Sequence, residues 1–489
     1  MKKAVLAGVA GGGLVATGLA ALRLSRHRRR DGIGLRSRRA RNAELARLGA
    51  TVASSYVSTN ARKLFASAAR REQLDRQHEL HTAEAVAERL GQMKGVLMKL
   101  GQMASYLDEG LPEPMRQALS ALQAEAPPMS ADLVATIITA ELGAHPTTLF
   151  TEWDPTPIAA ASIGQVHRAL WLDPSTNEVR AIAVKVQYPG AQQAIASDLA
   201  NSDLFGAILK QGFGSLDPTE MMAELKERLV EELDYRLEAK NQTLFADYFA
   251  GHPFINVPAV IPALSTGTVL TSELVDGARW SEIQSWDQHE KNMAAEAIYR
   301  FVFRSLYGIR AFNGDPHPGN YLFHGNGRVT FLDFGLVKYF SQQEIHVFEE
   351  MIDAAVIHVD DAKFRRVIED AGLLQKNAPI GTAEAGDYFS VFYSQVASDQ
   401  ELTWTTEYAS SVVRHAFDRK AVISQYATVP RTFVLIQRIN MGLYAILGEL
   451  HATGNYRRIS EELWPMTRFP PSTPMGVAEA TWLASKVTS

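Results

Sequence analysis

Residues 42–125 are the first long segment with a regular pattern of apolar and polar positions, and its period is that of α-helices. In the stretch EAVAERLGQMKGVLMKLGQMASYL, apolar side chains recur every three to four positions and so share one helix face. The residues EGLPEP end this pattern with a proline turn. The next stretch, MSADLVATIITAELG, predicts a short helix that begins after the N-cap Ser130 and stops at Gly143.

Near residue 150 the pattern changes from helical to strand-like. The stretches ASIGQVHRALWL and RAIAVKVQYPG predict two strands, and DPSTNE between them predicts a turn. Residues 217–249 predict one long helix, in which Asp217 is the N-cap, Pro218 the first residue and Glu220 the reciprocal cap. The stretch GTVLTSELVDG predicts a further strand.

From about residue 288 the pattern is mainly helical, and two loop-and-strand segments interrupt it. The first is NGDPHPGNYLF, residues 313–323, which is rich in turn residues and then becomes apolar. The second is GRVTFLDFG, which predicts a strand that ends in a turn. Residues 341–470 return to a helical pattern. The final stretch, PPSTPMGVAEATWLASKVTS, begins with prolines, and we expect it to be loosely ordered.

The N-terminus joins an apolar stretch to a strongly basic one. Residues 4–22 carry no charge, and about 19 such residues are near the lower limit for crossing a bilayer. Residues 23–41 then hold nine arginines against one aspartate. The positive-inside rule therefore predicts a single span with the rest of the chain in the cytoplasm. A cleaved signal peptide and an interfacial helix stay open as alternatives.

Composition excludes several classes of site. The chain has 489 residues, 46% of them hydrophobic, and a net charge of −5, which does not predict a nucleic-acid-binding protein. It contains no cysteine, so disulfides, thiolate catalysis and cysteine-ligated zinc are excluded. Thirteen histidines are present, but no HExxH motif or close histidine pair predicts a metal site among them.

The two interrupting segments together suggest phosphoryl transfer. Asp315 and Asn320 have the D-x-x-x-x-N spacing, and Asp333 begins the sequence DFG behind a predicted strand. In kinases, the first aspartate orients the acceptor, while the asparagine and the DFG aspartate hold Mg²⁺. Carboxylate and carboxamide oxygens suit that ion. A lone DFG would be weak support and could be a simple turn, but the paired motifs at this spacing are far more specific.

Such a site also needs a lysine on an upstream strand. Lys185 lies in the apolar stretch IAVKVQYPG, where a charge must be paired or face a cleft, unless the strand is an edge and the lysine is at the surface. Three acidic residues on the following predicted helix are candidate partners: Glu232, Asp234 and Glu238. No glycine-rich G-x-G-x-x-G motif precedes the lysine. The small-residue stretch AAASIGQVH stands in its place.

These residues resemble the UbiB family of atypical protein-kinase-like proteins, also called the ADCK group, over about residues 90–460. Four elements carry the resemblance in order: KLGQ at Lys99–Gln102 is similar to the family's KxGQ signature, AAAS at Ala159–Ser162 to its alanine-rich nucleotide loop, ELD at Glu232–Asp234 to its ExD motif, and GDPHPGN with DFG to its catalytic and metal motifs. The first three are absent from ordinary kinases, so the combination is specific.

The resemblance implies an α+β, protein-kinase-like fold with two lobes, a small β-rich N-lobe and a helical C-lobe. It divides the chain into an apolar anchor with a basic linker (1–41), a helical KxGQ extension (42–150), the N-lobe (151–276), the C-lobe (277–470) and a tail (471–489). The implied cofactors are ATP or ADP and Mg²⁺.

The resemblance also implies a role for each matching residue. Lys185 would hold the α- and β-phosphates and pair with Glu238, and Asp315 would be the catalytic aspartate. Asn320 and Asp333 would bind Mg²⁺. The loop residues Ala159, Ala160, Ala161 and Ser162 would lie against the nucleotide. The backbone of Glu273, Leu274, Val275 and Asp276 would receive the adenine edge. Lys99 and Gln102 would lie on a helix across the mouth of the site, with Lys99 near Glu232 and Asp234.

Members of that family are associated with ATPase activity and with support of isoprenoid-quinone synthesis at membranes. The resemblance therefore implies a membrane lipid or isoprenoid-quinone precursor as partner, quinone-biosynthesis proteins as further partners, and no nucleic acid. Alanines limit the backbone more than glycines do, so the alanine loop is expected to alter nucleotide placement and to favour ADP. His317 is interpreted as a residue that braces its loop rather than as a catalytic one.

Two other functions remain open from the sequence. The loop NGDPHPGN also resembles that of aminoglycoside and choline kinases, which share the fold, although KLGQ and AAAS argue against a small-molecule phosphotransferase. The chain could instead be a nucleotide-binding scaffold that handles lipids without turnover. Intact Asp315, Asn320 and Asp333 favour Mg-ATP chemistry over that alternative.

Overall fold

The computed structural model describes residues 129–161, 163–189, 233–314, 316–416, 421–427, 430–467 and 469–488. The apolar and basic N-terminus and the predicted helices of residues 42–125 lie outside these residues, as do Asp217, Pro218 and Glu220. Among the described residues, no helix is both long enough and apolar enough to cross a membrane.

The strands in the described part of the chain fall into four groups. A four-stranded antiparallel sheet has the order β1-β2-β3-β5, a three-stranded sheet has the order β4-β8-β7, and β6-β9 and β10-β11 are two-stranded pairs. Their bounds are β1 Glu152–Ala161, β2 Gly164–Asp173, β3 Glu178–Gln187, β4 Ile255–Asn256, β5 Val269–Glu273, β6 Ala311–Asn313, β7 Tyr321–Phe323, β8 Val329–Phe331, β9 Val337–Tyr339, β10 Leu402–Thr403 and β11 Thr453–Gly454.

The described chain has thirteen α-helices, most of them in its second half. Their bounds are α1 Ala131–Leu142, α2 Pro146–Leu149, α3 Tyr235–Tyr248, α4 Trp280–Ile283, α5 Gln288–Ile309, α6 Gln342–Ile352, α7 Asp361–Asp370, α8 Thr382–Ser390, α9 Ser394–Ala397, α10 Thr406–Ala416, α11 Arg431–Glu449, α12 Tyr456–Leu463 and α13 Pro474–Thr488. Short 3₁₀ turns cover Pro262–Leu264, Pro318–Asn320, Val391–Tyr393 and Val422–Gln425, and a π-helical turn covers Asp353–Ile357.

The four-stranded sheet and α1 share one hydrophobic core, the N-lobe core. Alternate residues of β3, namely Ile182, Val184 and Val186, point into it and are fully buried. On the other side of this core, α1 contributes Val134 and Ile138. As the sequence predicted, α1 has Ser130 as its N-cap and ends at Gly143, whose φ of 82° is left-handed.

The edge strand β1 was not predicted as a strand, because EWDPTPIAAA contains two prolines. Its pairing with β2 is irregular between Trp153 and Ala159, on either side of Pro157. Prolines are tolerated in a sheet mainly at an edge or at such an irregularity, since they donate no hydrogen bond. The edge position of β1 in the sheet order agrees with this rule.

The prediction of one unbroken helix over residues 217–249 is wrong at residues 233–234, which are not helical. A helix ends at Tyr248 as expected, but it begins only at Tyr235, with Asp234 as its N-cap. Asp234 has φ −112° and ψ 98°, which is extended backbone, and its side chain accepts a hydrogen bond from the N–H of Arg236. Asp234 therefore lies at a helix start and not in the middle of a helix.

The largest core, the C-lobe core, surrounds α5. This helix has 22 residues and is buried along most of its length against α11, α12 and the strands β7 and β8. Phe301 of α5 stacks on Phe331 of β8 with ring centroids 3.7 Å apart. A separate cluster joins α6, α7 and α8 around Phe364 and Ile368. The predicted helical nature of residues 341–470 is confirmed.

The expectation of a loosely ordered tail is wrong. Residues 474–488 form the helix α13, which begins with Pro474 at a position that needs no backbone donor. Glu479 and Trp482 of this helix are buried, with 1% and 6% of their surface exposed. The proline-rich start thus introduces a helix that packs on the C-lobe core.

Candidate nucleotide site

Lys185 lies on the face of β3 opposite the N-lobe core. Its neighbours Val184 and Val186 point into that core, so the alternation of a strand sends Lys185 to the other face. Val166 of β2 is directly opposite Lys185 in the antiparallel register and shares that face. Both residues are only partly buried, so this face of the sheet is less enclosed than the face in the N-lobe core.

Lys185 forms an ion pair with Glu238 of α3. The lysine Nζ lies 2.7 Å from Oε1 and 2.9 Å from Oε2 of the carboxylate. The side chain of Lys185 is 17% exposed and that of Glu238 is 5% exposed. Of the three acidic candidates from the sequence, the structure brings Glu238 to the lysine, and Tyr235 adds its ring 5.0 Å from Nζ.

The environment keeps Lys185 protonated. Burial acts to lower the pKa of Lys185, but the negative charges of Glu238 and Asp333 outweigh it, so the pKa is raised above its usual value. Asp333 is therefore close enough to Lys185 for its negative charge to raise the pKa of the lysine. A permanently positive group beside two carboxylates is suited to hold a phosphate.

Two hydrogen bonds fix the start of α3 against the sheet. The N–H of Tyr235 donates to the carbonyl of Gly267, 3.1 Å away, just before β5. The side chain of Gln187, at the end of β3, donates to the carbonyl of Leu233 over 3.1 Å. These bonds place the start of α3 so that Glu238, in its first turn, faces Lys185 of β3.

The loop of residues 313–320 is bonded to the segment that contains DFG. The side chain of Asn313 donates to the carbonyl of Asp333 over 2.7 Å, and the N–H of Leu332 donates to the carbonyl of Asn320 over 3.0 Å. The N–H of Gly314 donates to the carbonyl of Leu336 over 2.7 Å. The backbones of Asn320 and Asp333 are thus held together. Asp315 lies outside the described residues.

Phe334 of DFG is fully buried beneath α3. The ring centroid of Phe334 lies 5.0 Å from that of Phe245, which belongs to α3. Its carbonyl accepts a hydrogen bond from the side chain of Asn241 over 2.9 Å. Asn241 in turn accepts from the hydroxyl of Tyr339 over 2.7 Å. Packing of the DFG phenylalanine determines where the aspartate points in kinases, so these contacts define the position of Asp333.

Asn241 is a residue that sequence reasoning missed. It lies three positions after Glu238 and therefore on the same face of α3. It is 2% exposed, and a buried carboxamide must be satisfied by hydrogen bonds. Its helical spacing from Glu238 was the only signal available, because its partners at Phe334 and Tyr339 are almost a hundred residues away.

The alanine stretch forms the end of β1 and its tight connection to β2. Ala159, Ala160 and Ala161 pair with Val166, Gln165 and Gly164 of β2. Ser162 lies outside the described residues. At Gly164 a side chain is not tolerated, since a Cβ would lie 2.4 Å from the carbonyl oxygen of Val186. The hairpin therefore lies close to β3 near Lys185.

A buried polar pair beneath this hairpin was also missed. Gln165 accepts from the N–H of Met129 over 2.7 Å and contacts His167 Nε2 over 2.8 Å. His167 Nδ1 lies 3.0 Å from the carbonyl of Asp154, so the ring is neutral with its proton on Nδ1. Burial lowers the pKa of His167 in agreement with this. The pair joins β1 to β2 and gives no distinctive sequence signal.

The predicted hinge contains both used and unused backbone donors. The N–H of Glu273 donates to Ala259 and the N–H of Leu274 donates to Ala181, over 2.9 Å and 3.0 Å. The carboxylate of Glu273 is also engaged, by Arg180 and by the N–H of Ala259. Within the described part of the chain, the N–H groups of Val275 and Asp276 have no hydrogen-bond partner.

The remaining predicted residues are only partly covered. Lys99, Gln102 and Glu232 lie outside the described residues, while Asp234 is an exposed N-cap. His317 Nδ1 accepts from the N–H of Gly319 over 3.1 Å and caps the 3₁₀ turn that ends at Asn320. This contact agrees with the interpretation that His317 braces the loop.

No group of three or more histidine or acidic side chains in the described ranges is arranged to hold a metal ion. The predicted donors are one carboxamide, from Asn320, and one carboxylate, from Asp333. Mg²⁺ is commonly held by one or two protein groups together with substrate phosphates and water. This donor set therefore fits a metal that arrives with a nucleotide, and not a metal bound by the protein alone.

The antiparallel sheet, the Lys185–Glu238 pair and the DFG segment define a protein-kinase-like fold of mixed α and β structure. A sequence model of the ABC1 atypical kinase-like domain matches residues 121–368. The chain belongs to this family, and the resemblance inferred from its motifs is confirmed.

Similar proteins support the same assignment. The chain is 32% identical to "Atypical kinase COQ8, mitochondrial" of Saccharomyces cerevisiae over 280 residues, covering 56% of this chain and 54% of that protein. It is 32% identical to "Atypical kinase COQ8B, mitochondrial" of Rattus norvegicus over 278 residues, covering 56% and 51%. It is 30% identical to "Protein ACTIVITY OF BC1 COMPLEX KINASE 8, chloroplastic" of Arabidopsis thaliana over 324 residues, covering 64% and 41%. The matches thus span about half the length of these curated relatives.

One solved structure is similar over most of the chain. The complex of Rv3197 with erythromycin from Mycobacterium tuberculosis matches with a TM-score of 0.58 and 29% sequence identity. The match covers 81% of this chain and 98% of that one. This likeness supports the kinase-like fold.

Proposed function

We propose that this chain is a membrane-associated, atypical kinase-like ATPase that binds Mg-ATP or Mg-ADP. The observation that carries the proposal is the buried ion pair between Lys185 and Glu238, with the charge of Asp333 close by. We infer that Lys185 does more than stabilise its strand, because a buried ion pair by itself contributes little to the stability of a fold. Charged groups whose pKa is perturbed by burial and by specific charged partners are typical of functional sites.

Each residue has a role in this proposal. Lys185 contacts the α- and β-phosphates, and the stretch Ala159–Ser162 at the end of β1 lies against them. The adenine edge meets the backbone of Glu273–Asp276, where the N–H of Val275 has no hydrogen-bond partner among the described residues. Asp315 is the catalytic aspartate that orients the acceptor. Asn320 and Asp333 hold Mg²⁺, which when bound supplies positive charge to the phosphates.

The acceptor and the setting are a further part of the proposal. Water is the acceptor that we favour, with a membrane lipid or isoprenoid-quinone precursor as the molecule whose metabolism the ATPase supports. The basic residues 23–41 supply the charge that an anionic membrane attracts. We propose that Lys99 and Gln102 regulate the site through Glu232 and Asp234 by restricting access of larger acceptors.

Nucleotide binding is tested by thermal stabilisation of the full-length chain. A ligand that binds only the folded state raises stability by about 2.7 kcal/mol at a hundred times its Kd. We expect Mg-ATP and Mg-ADP to raise the melting temperature, and Asp333→Asn to lose the Mg²⁺-dependent part. Asp370→Asn is the control, since Asp370 is a surface residue with a 73% exposed side chain, paired only with Lys376 among the described residues. An unchanged shift in Asp333→Asn would refute the metal assignment.

Turnover is tested by ATP hydrolysis with and without anionic vesicles. Release of phosphate that vesicles stimulate supports the ATPase, while transfer to an added aminoglycoside or choline would support the small-molecule phosphotransferase. Nucleotide binding with no turnover under either condition would leave the scaffold as the function. Lys99→Ala is assayed in parallel, and unchanged hydrolysis with no new autophosphorylation would remove Lys99 from the regulatory role.

A further inference from the structure

The C-terminal helix α13 contacts the end of α3, the helix that carries Glu238. Lys486 of α13 places its ammonium on the backbone carbonyl of Tyr248, and that of Asp247 lies 3.5 Å away. Its Nζ also lies 5.1 Å from the ring centroid of Tyr248 and 4.6 Å from that of Trp482. Lys486 thus lies between two aromatic rings and meets the last turn of α3.

This contact satisfies a need that every helix has at its C-terminus. The last four carbonyls of a helix have no partner within the helix, and the end carries a partial negative charge. α3 has no basic residue in its own last turn. Lys486 supplies from another helix the positive charge that α3 lacks, and the two rings favour a cation at that position.

The same face of α13 is also bonded to α5 and to the turn after α3. Glu479 accepts from Arg300 over 2.9 Å and from Arg304 over 2.8 Å, both on α5. The indole N–H of Trp482 donates to the carbonyl of Ala250 over 3.0 Å, and its ring is parallel to that of Phe249. Lys486 is therefore held by a helix that is itself fixed to α5.

We propose that Lys486 is a positioning residue for the nucleotide site, which it serves by capping α3 and so holding Glu238 on Lys185. The inference rests on the proposed function, because the consequence is weaker nucleotide binding. α3 has 14 residues and so is about 20 Å long. Glu238 is in its first turn and Tyr248 is its last residue. A cap at one end of a helix this short stabilises the whole helix in its bound position.

The test is the affinity of the full-length chain for a fluorescent ADP analogue in Lys486→Met, Lys486→Arg and Lys376→Met. Methionine keeps the packing of the stem and removes the charge. We expect its Kd to rise threefold to tenfold, the range given by a partly buried charge at a helix end. Arginine is expected to restore most of the affinity. Lys376→Met is the matched control, because the side chain of Lys376 is 68% exposed and pairs with Asp370, outside α3 and α13.

Hydrogen exchange of the α3 amides provides the second readout. In Lys486→Met we expect faster exchange in the last turn of α3 and also around Glu238 in its first turn. Faster exchange confined to the last turn, with an unchanged Kd, would show a purely local cap and overturn the inference. A wild-type chain that binds no nucleotide would instead overturn the proposed function, and the inference with it.

Discussion

Lys185 and Glu238 are buried unequally, and this makes their single and double replacement informative. Glu238 is 5% exposed, so replacing Lys185 removes the cation of a buried ion pair and leaves the carboxylate in the protein interior. Breaking a buried pair by removing one partner typically costs about 3–5 kcal/mol, whereas replacing both partners by apolar residues is often nearly neutral. Stability and nucleotide binding therefore respond differently to the two changes.

We expect Lys185→Met to lower the free energy of unfolding by about 3 kcal/mol. The double variant Lys185→Met/Glu238→Met is expected to recover most of that loss, because it removes both charges of the buried pair. Neither variant should be stabilised by Mg-ATP, since both lack the cation that meets the phosphates. Urea unfolding with and without nucleotide measures both quantities. A double variant that is no more stable than the single one would mean that the ion pair does not explain the loss.

At this scale the sequence predicted the charged residues of the site and missed two buried neutral ones, Asn241 and Gln165. Lys185 was identifiable because a charge in an apolar strand requires a partner. The residues alone left three acidic candidates for that partner, and the family resemblance selected Glu238. Asn241 and Gln165 could not be identified in this way, because a neutral side chain needs no charged partner and each bonds to a backbone group distant in the sequence. Hydrogen bonds of this kind exist only after the elements have packed.

At the scale of elements, the pattern of apolar and polar positions predicted the interiors of helices and strands better than their ends. The strands β2, β3 and β5 and the helix α1 lie where the sequence placed them. The break before α3 was invisible because residues 217–249 contain no glycine and their single proline is at the predicted first turn. At this break Leu233 accepts a hydrogen bond from Gln187 of β3, and Tyr235 donates one to Gly267 just before β5, so the start of α3 depends on the sheet. The helix α13 was missed because its anchoring depends on arginines of α5.

His252 links the turn after α3 to α13 and predicts a pH dependence. Its Nδ1 accepts from the N–H of Ile255 over 3.0 Å, while its Nε2 faces Glu479 over 3.4 Å. Burial lowers the pKa of His252, and Arg304 and Arg300 act in the same direction against the opposing effect of Glu479. The folded state therefore keeps this ring neutral below the usual value of about 6.5, at which the unfolded chain takes up a proton.

The sign of the effect follows from proton uptake. As the pH falls below about 6.5, the unfolded state binds more protons than the folded state, so the free energy of unfolding decreases. We expect the melting temperature to fall between pH 7 and 5.5, and to fall less in His252→Asn, whose side-chain oxygen can replace Nδ1 as acceptor. His346→Asn, at a 63% exposed side chain, is the control. A full pH slope in His252→Asn would contradict the assignment.

At the scale of the whole chain, α3 connects the two main cores. Phe245 and Phe249 of this helix belong to the C-lobe core, while Glu238 of its first turn bonds to β3 of the sheet that covers the N-lobe core. The site residues thus come from both halves of the described chain. The family resemblance, which rests on the motifs and their order, implied that these site residues would come together. The bridging role of α3 depends on packing that no single motif encodes.

The whole chain also has an uneven distribution of charge, which leads to a prediction about membranes. Its net charge is −5, yet residues 23–41 hold nine arginines and follow an apolar stretch. Basic residues near an anionic surface each contribute about 1 kcal/mol, an attraction that salt screens, whereas burial of apolar residues in lipid is not screened. We therefore expect deletion of residues 1–41 to release the protein from vesicles at every salt concentration.

A shorter deletion separates the two contributions. Without residues 1–22, the chain keeps its arginines, so we expect it to bind vesicles that contain anionic lipid at about 0.1 M salt and to leave them at about 1 M, where the screening length falls from about 10 Å to about 3 Å. It should not bind neutral vesicles. Co-sedimentation with neutral and anionic vesicles measures all cases. If the chain without residues 1–41 still sediments fully with membranes, the main membrane contact belongs to another part of the protein, and the role proposed for the N-terminus is wrong.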